Sequence, residues 1–309
     1  MLSAQASFCH SPTLSLLLQL HPIRRVAVPV QHRVHAVRNS RELLNLLSRA
    51  RLFDDIRGMA RKVAAHESAM PERWQELLGK SFQVLEVAER VCTDLTALGG
   101  GADTSGGWSG ELVFCHNDTQ HGNVMFEPVS GRHMLIDFEY GGYNPPYYDL
   151  ANLFCEIPAD YSLGASPAGF LQPFPDGFPS VATQRTIVRR YLERRAALGR
   201  AVDQWEDASV QARAVQEPLY SAAVSLRAQR GLLAAGVPSS DTHAPPLVSE
   251  QEAFRSKAVA FAAGSHLFWG LWGVLQTRSR GDAVPPAGDF DYAAYAANRL
   301  AALLAERAA

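Results

Sequence analysis

The pattern of apolar and polar residues before residue 100 is that of amphipathic helices. Asn39 and Glu42 have the spacing of a capping box, and apolar residues follow them at helical spacing at Leu43, Leu44, Leu47 and Ala50. Helical spacing continues with breaks to about Leu98, and Pro71 is placed to begin a new helix within it. The pattern therefore predicts a helical segment over about 39–98.

The period of the pattern changes after a glycine-rich loop over 99–110. Short apolar runs divided by polar turns then predict three short buried strands, at 112–114, 124–126 and 134–136. Helical spacing returns beyond Pro145-Pro146, and residues 162–180, rich in Pro, Gly and Phe, predict a surface loop. Further helices are predicted over 148–156, 183–198, about 207–235, from Ser249 onward and from Phe290 to the end. The chain is thus expected to be α+β and mostly helical.

The helix from Ser249 includes a stretch, 258–277, that contains no charged residue. About 18 to 20 apolar residues would suffice to span a bilayer. Ser265, His266 and Gln276 interrupt the stretch, as do three glycines. These residues favour a buried core helix, and we expect no transmembrane segment.

Composition excludes some classes of protein. The hydrophobic fraction of 47% allows a sizeable core, and the net charge of −2 argues against a nucleic-acid binder. The four cysteines form no CxxC pair, which favours a reducing, cytoplasmic location. The first 41 residues contain no acid and several arginines, which loosely resembles a transit peptide. A divergent N-terminal segment explains them at least as well.

Candidate chemistry is concentrated in His116-Asn117-Asp118-x-x-x-x-Asn123, followed by Asp137-Phe138-Glu139. Phosphoryl transfer from ATP needs a carboxylate to accept the proton of the attacking hydroxyl and oxygen ligands to hold Mg²⁺ against the phosphates. Asp118 can supply the base, and Asn123 and Asp137 the metal ligands, in the order and spacing of a protein-kinase catalytic loop. The alternative is that these residues only cap turns between strands.

Two tryptophans on the apolar helix suggest a ligand for this site. Trp269 and Trp272 are three residues apart, so they share a helix face. A quaternary ammonium has no N–H to donate, so aromatic faces and a nearby carboxylate can hold it. Ordinary core packing is the alternative for such a pair, and the kinase motif favours the amine pocket over it.

Two long runs of sequence resemble the choline/ethanolamine kinase family. These are FCHNDTQHGNVMF with LIDFEYGGYNPPYYDLANLFCE, within 114–156, and AGSHLFWGLW, at 263–272. The terminal run Phe290-x-Tyr292-x-x-Tyr295-Ala296 is similar to the closing helix of that family. The resemblance covers about residue 39 to the end, with an insertion at about 207–252. It implies a protein-kinase-like fold, mostly the helical C-terminal lobe with a small β element at the active site.

The resemblance also implies roles for individual residues. Asp118 is the base, and Asn123 and Asp137 hold Mg²⁺, the cofactor that accompanies ATP. The substrate-binding residues are Gln120, Tyr140, Glu156, Trp269, Trp272 and Tyr295. The supporting residues, two of which brace the catalytic loop, are His116, Asp149 and Asn152. The implied partners are ATP and choline or ethanolamine, and a homodimer is one possible assembly.

One part of the family pattern has no counterpart in the sequence. The lobe that covers the phosphates would precede Asn39, yet residues 1–38 contain neither glycine nor lysine, so no phosphate-binding lysine is found. The expected layout is an acid-free segment, 1–38, as a truncated or divergent lobe remnant, and a catalytic lobe over 39–309.

The expected function is ATP-dependent phosphorylation of choline or ethanolamine in phospholipid synthesis, at an early step of making phosphatidylcholine or phosphatidylethanolamine. The missing lobe leaves a second hypothesis open, a non-catalytic pseudokinase that binds choline-like amines or a partner. A third hypothesis is another small-molecule phosphotransferase, of aminoglycoside type, against which the paired tryptophans argue.

Overall fold

The structure is a computed structural model, and it describes residues 50–65, 83–99, 108–129, 131–159, 161, 177–195, 248–280 and 289–308. Several predicted features lie outside these residues. They are the helix start at 39–49, the helix from Pro71, the greater part of the loops over 99–110 and 162–180, and the helix over 207–235. The proposed layout, with a boundary at residue 38 and an insertion at 207–252, stays a prediction.

Helices make up most of the described chain, as the sequence predicts. They are α1 (Arg51–Ala64), α2 (Val84–Ala97), α3 (Tyr148–Glu156), α4 (181–195), α5 (Val248–Ala260), α6 (Ala262–Ser279) and α7 (Tyr292–Ala308). The long apolar helix predicted from Ser249 is divided: α5 and α6 meet at Phe261, which is fully buried. The helices predicted at 148–156 and from Phe290 are confirmed, the latter beginning two residues later than predicted.

In the described residues, four short strands form two antiparallel pairs. Strand β1 (Val113–Cys115) pairs with β4 (Gly142–Asn144), and β2 (Val124–Glu127) pairs with β3 (Arg132–Leu135). Strand β4 was not predicted, because Gly-Tyr-Asn carries no apolar run. The three predicted strands are confirmed, but the prediction that all are buried is wrong. Met125 and Met134, opposite each other in the β2–β3 pair, are 51% and 59% exposed, whereas the neighbouring pair Val124 and Leu135 is partly buried.

The described elements divide into two compact units. One contains the β2–β3 hairpin, most of α4 and the beginning of α5. The other contains α1, α2, the β1–β4 pair, α3, α6 and α7, together with the predicted catalytic loop. The second unit holds a continuous aromatic and aliphatic core, in which Phe261 contacts the rings of Phe53, Trp108 and Tyr147.

Close approach between α6 and α7 depends on glycine. A Cβ on Gly270 would stand 2.7 Å from Leu300 Cδ2, and one on Gly273 would stand 2.8 Å from Ala296 Cβ. Both distances are shorter than real Cβ contacts, so the two glycines allow the helices to pack with their backbones near each other. This packing brings the tryptophans of α6 against the tyrosines of α7.

The run Val248–Ser279, 32 residues long, is apolar enough to cross a membrane by length and composition. Its most apolar 18-residue window is 72% buried inside the protein. That burial is what a core helix shows, and it favours the core helix expected from the sequence.

Candidate active site

The loop between β1 and β2 holds Asp118 in a buried position. Asp118 is 9% exposed, and the side-chain amide of Asn123 donates to it twice: to its backbone carbonyl at 2.9 Å and to its carboxylate Oδ2 at 2.7 Å. A carbonyl oxygen can only accept a hydrogen bond, so this pair of contacts fixes which end of the Asn123 amide is the nitrogen. The two residues that the sequence predicted as base and metal ligand are therefore in direct contact.

The surroundings of Asp118 favour its protonated form more than water does. Burial, followed by the nearby Glu156 carboxylate, raises the pKa of Asp118 to about 6, against an opposing effect of hydrogen bonds from Asn123 and Gln120. A carboxylate with a pKa near neutrality can both accept a proton at physiological pH and return it to solvent. Gln120, predicted near the substrate, is thus beside the predicted base.

Two residues of α3 hold the backbone of the loop by hydrogen bonds. The carboxylate of Asp149 accepts the backbone N–H of His116 at Oδ2 and that of Asn117 at Oδ1, each at 2.8 Å. One turn later, Asn152 Oδ1 accepts the backbone N–H of Thr119 at 2.6 Å. The backbone on both sides of Asp118 is therefore tied to one rigid helix.

The Asn152 side chain also reaches α6. Its Nδ2 donates to Ser265 Oγ at 3.1 Å, and Ser265 is fully buried. This bond connects the loop's support to the helix that carries the tryptophans.

His116 supports the loop rather than facing the substrate. Its Nε2 lies 2.8 Å from the carbonyl of Ile136, and its Nδ1 lies 3.3 Å from the backbone N–H of Asp118. Because the first partner can only accept and the second can only donate, these contacts match the tautomer with its proton on Nε2. The supporting position predicted for His116 agrees with these contacts.

Asn117 and Asn144 form a buried amide pair to which sequence reasoning gave no role. Asn117 has a positive φ of 69°, and its Nδ2 donates to the carbonyl of Tyr140 at 2.7 Å. Asn144 Nδ2 donates to Asn117 Oδ1 at 2.8 Å, and Asn144 Oδ1 accepts the backbone N–H of Leu52 at 2.7 Å. Asn144 therefore caps the N-terminus of α1, and the same side chain also holds the loop that carries Asp118. The sequence signal was an Asn before the predicted base, since Asn tolerates the left-handed conformation.

Asp137 lies two residues after the end of β3, and it is exposed. Its φ is 62°, in the left-handed region, which turns the chain directly after Ile136. The backbone N–H of Ile136 donates to the carbonyl of Asn123 at 3.0 Å. This bond holds the segment that carries Asp137 beside the segment that carries Asn123.

The two predicted metal ligands suit a hard divalent cation. With its nitrogen turned to Asp118, Asn123 has its Oδ1 on the opposite side, where none of the described residues donates to it. Asp137 adds an exposed carboxylate. Within the described ranges, no group of three His, Cys, Asp or Glu residues could hold a metal. An amide oxygen and a carboxylate oxygen are ligands that a hard divalent cation accepts, with phosphate oxygens and water in its other positions.

A continuous row of aromatic rings runs from the loop across α6 to α7. The ring of Tyr140 lies 5.0 Å from Trp269, Trp269 lies 5.5 Å from Trp272, and Trp272 lies 6.2 Å from Tyr295. The row ends at Tyr161, whose ring is 6.5 Å from that of Tyr295. Trp269 and Tyr295 are buried, whereas Tyr140, Trp272 and Tyr161 are partly exposed. Four of the predicted substrate residues are thus together.

Glu156, predicted as a substrate-binding residue, has a protein partner at each of its two carboxylate oxygens. Its Oε1 accepts from Arg299 Nη2 at 2.8 Å, and its Oε2 accepts from the hydroxyl of Tyr161 at 2.6 Å. Glu156 and Arg299 are both buried. Sequence reasoning missed Arg299 and Tyr161. For Arg299 a signal was present, an arginine four residues after Tyr295 among mostly apolar residues of α7.

The two described lysines lie on helices α1 and α5, not on the loop that carries Asp118. Lys62 is on the exposed face of α1, and Lys257 lies over the ring of Tyr147 at 5.4 Å. Lys80 lies outside the described residues. The expectation that no lysine of this chain is placed to pair with ATP phosphates stays a prediction.

The architecture of the second unit, a helical core with a polar loop between short strands, is that of the protein-kinase-like fold. An ethanolamine kinase of known structure from Plasmodium vivax superposes with a TM-score of 0.56 at 17% identity, covering 96% of this chain and 61% of that one. That likeness supports the fold that the sequence predicted.

The family model of choline/ethanolamine kinase matches residues 15–304, so the chain belongs to the choline/ethanolamine kinase family. Human "Choline/ethanolamine kinase" is 30% identical over 191 residues, which are 61% of this chain and 36% of that protein. "Probable choline kinase 1" of Arabidopsis thaliana is 27% identical over 189 residues, 61% of this chain and 38% of that protein. The matched segment thus spans little more than a third of these relatives' length.

Proposed function

We propose that this chain transfers the γ-phosphoryl group of ATP to the hydroxyl of choline or ethanolamine. The observation that carries the proposal is the pairing of a buried Asp118 with Asn123, 2.7 Å away, beside a row of aromatic rings. Family membership supports the same reaction. The products are ADP and phosphocholine or phosphoethanolamine, precursors of the corresponding phospholipids.

In this mechanism Asp118 is the general base. Its carboxylate takes the proton of the substrate hydroxyl while the hydroxyl oxygen forms a bond to the γ-phosphorus. The bond between the γ-phosphorus and the bridging oxygen breaks in the same step, and ADP leaves with the electron pair. Asn123 and Gln120 orient the Asp118 carboxylate, while Asp149, Asn152 and His116 hold the loop still.

Asn123 and Asp137 are the residues that would hold a divalent cation, for which Mg²⁺ is our proposal. When bound, such a cation neutralises charge on the phosphates of ATP. The chain's own contribution is to orient Asn123, whose nitrogen is fixed by Asp118 and whose Oδ1 receives no hydrogen bond from the described residues.

The aromatic row is the proposed amine site. Trp272, the partly exposed ring of the row on α6, contacts the buried rings of Trp269 and Tyr295, and a ring face that meets a positively charged nitrogen is worth about 0.5–2 kcal/mol. Tyr140 joins this row to the loop, because its carbonyl accepts from Asn117 and its ring contacts Trp269. The amine end and the hydroxyl end of a small amino alcohol would thereby be held on one scaffold.

We propose a cytoplasmic location for the reaction. The described cysteines, Cys92, Cys115 and Cys155, are free thiols, as a reducing compartment maintains them.

A second candidate function is amine binding without catalysis. The observation that favours it is the position of the described lysines, with Lys62 on the exposed face of α1 and Lys257 over the ring of Tyr147. One experiment separates the two functions: the whole chain is incubated with ATP, Mg²⁺ and choline, ethanolamine or an aminoglycoside, and both the phosphorylated product and the binding of each amine are measured. Turnover supports the kinase. Binding without turnover supports the second candidate, and phosphorylation of aminoglycosides alone would contradict both.

A further inference from the structure

Arg51, the first residue of α1, holds the backbone of the segment that follows Asp137. Its Nη1 donates to the carbonyl of Tyr140 at 3.0 Å and to that of Gly141 at 2.8 Å, 89 and 90 residues later in the chain. Its Nε donates to Asp55 Oδ2 at 2.7 Å, one turn along α1. The ion pair with Asp55 therefore orients the guanidinium, whose other edge meets two consecutive backbone carbonyls.

The position of this arginine is unfavourable for the helix itself. A cation in the first turn of a helix opposes the helix macrodipole, and Ala50, before it, gives no side-chain cap. The Arg51 side chain is only 21% exposed, so much of it has also left water. The contacts that favour an arginine here are the hydrogen bonds to the two carbonyls and to Asp55.

Asp137 needs support from its surroundings because of its backbone conformation. Its φ of 62° is one that a residue other than glycine keeps only where neighbouring contacts hold it. The chain continues into a turn that is closed by the backbone N–H of Gly141, which donates to the carbonyl of Phe138 at 2.9 Å. The carbonyls of Tyr140 and Gly141, at the end of this turn, are the two that Arg51 holds.

Gly142, the first residue of β4, makes room for the Arg51 side chain. A Cβ on Gly142 would stand 2.7 Å from Arg51 Cδ and 3.6 Å from Arg51 Nη1. The guanidinium is held by three hydrogen bonds, so the side chain could not move aside without breaking some of them. Arg51 and Gly142 therefore fit each other, and a substitution at one should change the effect of a substitution at the other.

We infer that Arg51 is a positioning residue that fixes the turn after Asp137 and thereby sets the direction in which the Asp137 carboxylate meets a divalent cation. The inference rests on the proposed function, in which Asp137 holds that cation, and deepens it. Arg51 acts through backbone carbonyls and is not itself a ligand, because its own charge would repel the cation.

The test measures binding of Mn²⁺, which accepts the same oxygen ligands, to the whole chain by electron paramagnetic resonance without nucleotide. Arg51→Ala removes the guanidinium, and Arg51→Lys keeps a charged donor for one carbonyl. The matched control is Arg57→Ala, on the same helix, whose guanidinium pairs with Glu89 at the surface. Asp137→Ala shows whether the cation is bound at the proposed site, and thermal unfolding shows whether each variant is folded.

Arg51→Ala should weaken Mn²⁺ binding by about fivefold or more, the size of one hydrogen bond to a charged group. Arg51→Lys should weaken it less, and Arg57→Ala should leave it unchanged. Gly142→Ala, which displaces the guanidinium, should weaken binding by the wild-type chain but add no further loss to Arg51→Ala.

Wild-type affinity in a folded Arg51→Ala variant would overturn the inference. If that variant does not fold, Gly142→Ala decides in its place, because it keeps the arginine but moves it, and wild-type affinity there would overturn the inference equally. Mn²⁺ binding that is absent in the wild-type chain, or unchanged in Asp137→Ala, would instead overturn the metal site of the proposed function and the inference with it.

Discussion

Asn123 donates its side-chain amide to Asp118 at two points, the backbone carbonyl at 2.9 Å and the carboxylate at 2.7 Å. The two residues are five positions apart, and a 3₁₀ turn over His121–Asn123 brings them together. One amide thereby holds the loop backbone and orients the Asp118 carboxylate. This double contact explains why an Asp and an Asn occur at this spacing.

Replacing Asn123 should change the pH dependence of the reaction. Asn123→Ala removes a hydrogen bond that lowers the pKa of Asp118, so that pKa should rise above its wild-type value of about 6. The acidic limb of kcat/KM against pH should move upward with it, and kcat should fall by roughly a hundredfold or more because a cation ligand is also lost. An acidic limb that stays in place would contradict the contact between Asn123 and Asp118 in solution.

The raised pKa of Asp118 also predicts a pH-dependent stability. Because the folded-state pKa of about 6 is above the ordinary value of 3.8, the folded state binds the proton more tightly than the unfolded state. Asp118 therefore favours folding at low pH, and this contribution is lost as the pH rises through about 4 to 6. Asp118→Asn, which does not titrate, should gain stability relative to wild type over that window, by roughly 3 kcal/mol at most.

Urea unfolding of both proteins at pH 4.5 and pH 7.5 measures this difference. The stability of Asp118→Asn relative to wild type should be greater at pH 7.5 than at pH 4.5. A difference between the two proteins that is the same at both pH values would show that the carboxyl is not perturbed.

Removing the Asn144 side-chain amide should lower the free energy of unfolding, because this amide holds two other parts of the chain together. In Asn144→Ala the backbone N–H of Leu52 loses its acceptor, and Asn117 Oδ1 loses its donor. Unpaired buried groups cost about 1–3 kcal/mol each. Urea unfolding should therefore show a loss of about 2 kcal/mol or more. A loss well below about 1 kcal/mol in Asn144→Ala would argue against the cap.

Substituting alanine at two glycines should change the stability of the protein in opposite directions. A Cβ on Gly273 would lie 2.8 Å from Ala296 Cβ and 3.0 Å from the backbone carbonyl of Tyr292, which cannot move aside easily. Gly273→Ala should thus cost about 1–3 kcal/mol and weaken amine binding, since it pushes α7 away from Trp272. A Cβ on Gly58, inside α1, would meet no atom within 4 Å. Gly58→Ala should stabilise the protein by roughly 0.5–1 kcal/mol.

Thermal unfolding and choline titration of both alanine variants check this pair. Equal effects of the two substitutions on stability would contradict the close packing of α6 on α7. An unchanged choline affinity in Gly273→Ala would show that the aromatic row does not depend on that packing.

The sequence predicted the fold class and most of the helices because those features have local signals, whereas the bracing of the loop by Asp149 and Asn152 was implied only by the family resemblance. Helical spacing gave α3 and α7, and the spacing of Asp118, Asn123 and Asp137 gave the order of the site. Strand β4 was missed because pairing with β1, not its own composition, makes Gly142–Asn144 extended. The exposure of Met125 and Met134 was missed for a similar reason, since an apolar run does not show whether another layer covers it.

The connections of Asn144 and Arg299 could not be derived from spacing. Asn144 caps a helix 92 residues earlier, and Arg299 pairs with a carboxylate 143 residues earlier. Such contacts follow from tertiary packing, which brings distant polar residues into one buried region. The resemblance named Glu156 but gave no indication that its two oxygens were already engaged.

The rate of phosphocholine formation from ATP, Mg²⁺ and choline, compared between the whole wild-type chain and Asp118→Asn, tests the central claim most directly. We predict measurable turnover by the wild-type chain and a loss of at least about a hundredfold in kcat for the variant, with choline binding largely retained. Undiminished turnover by a folded Asp118→Asn variant would contradict the assignment of Asp118 as the base.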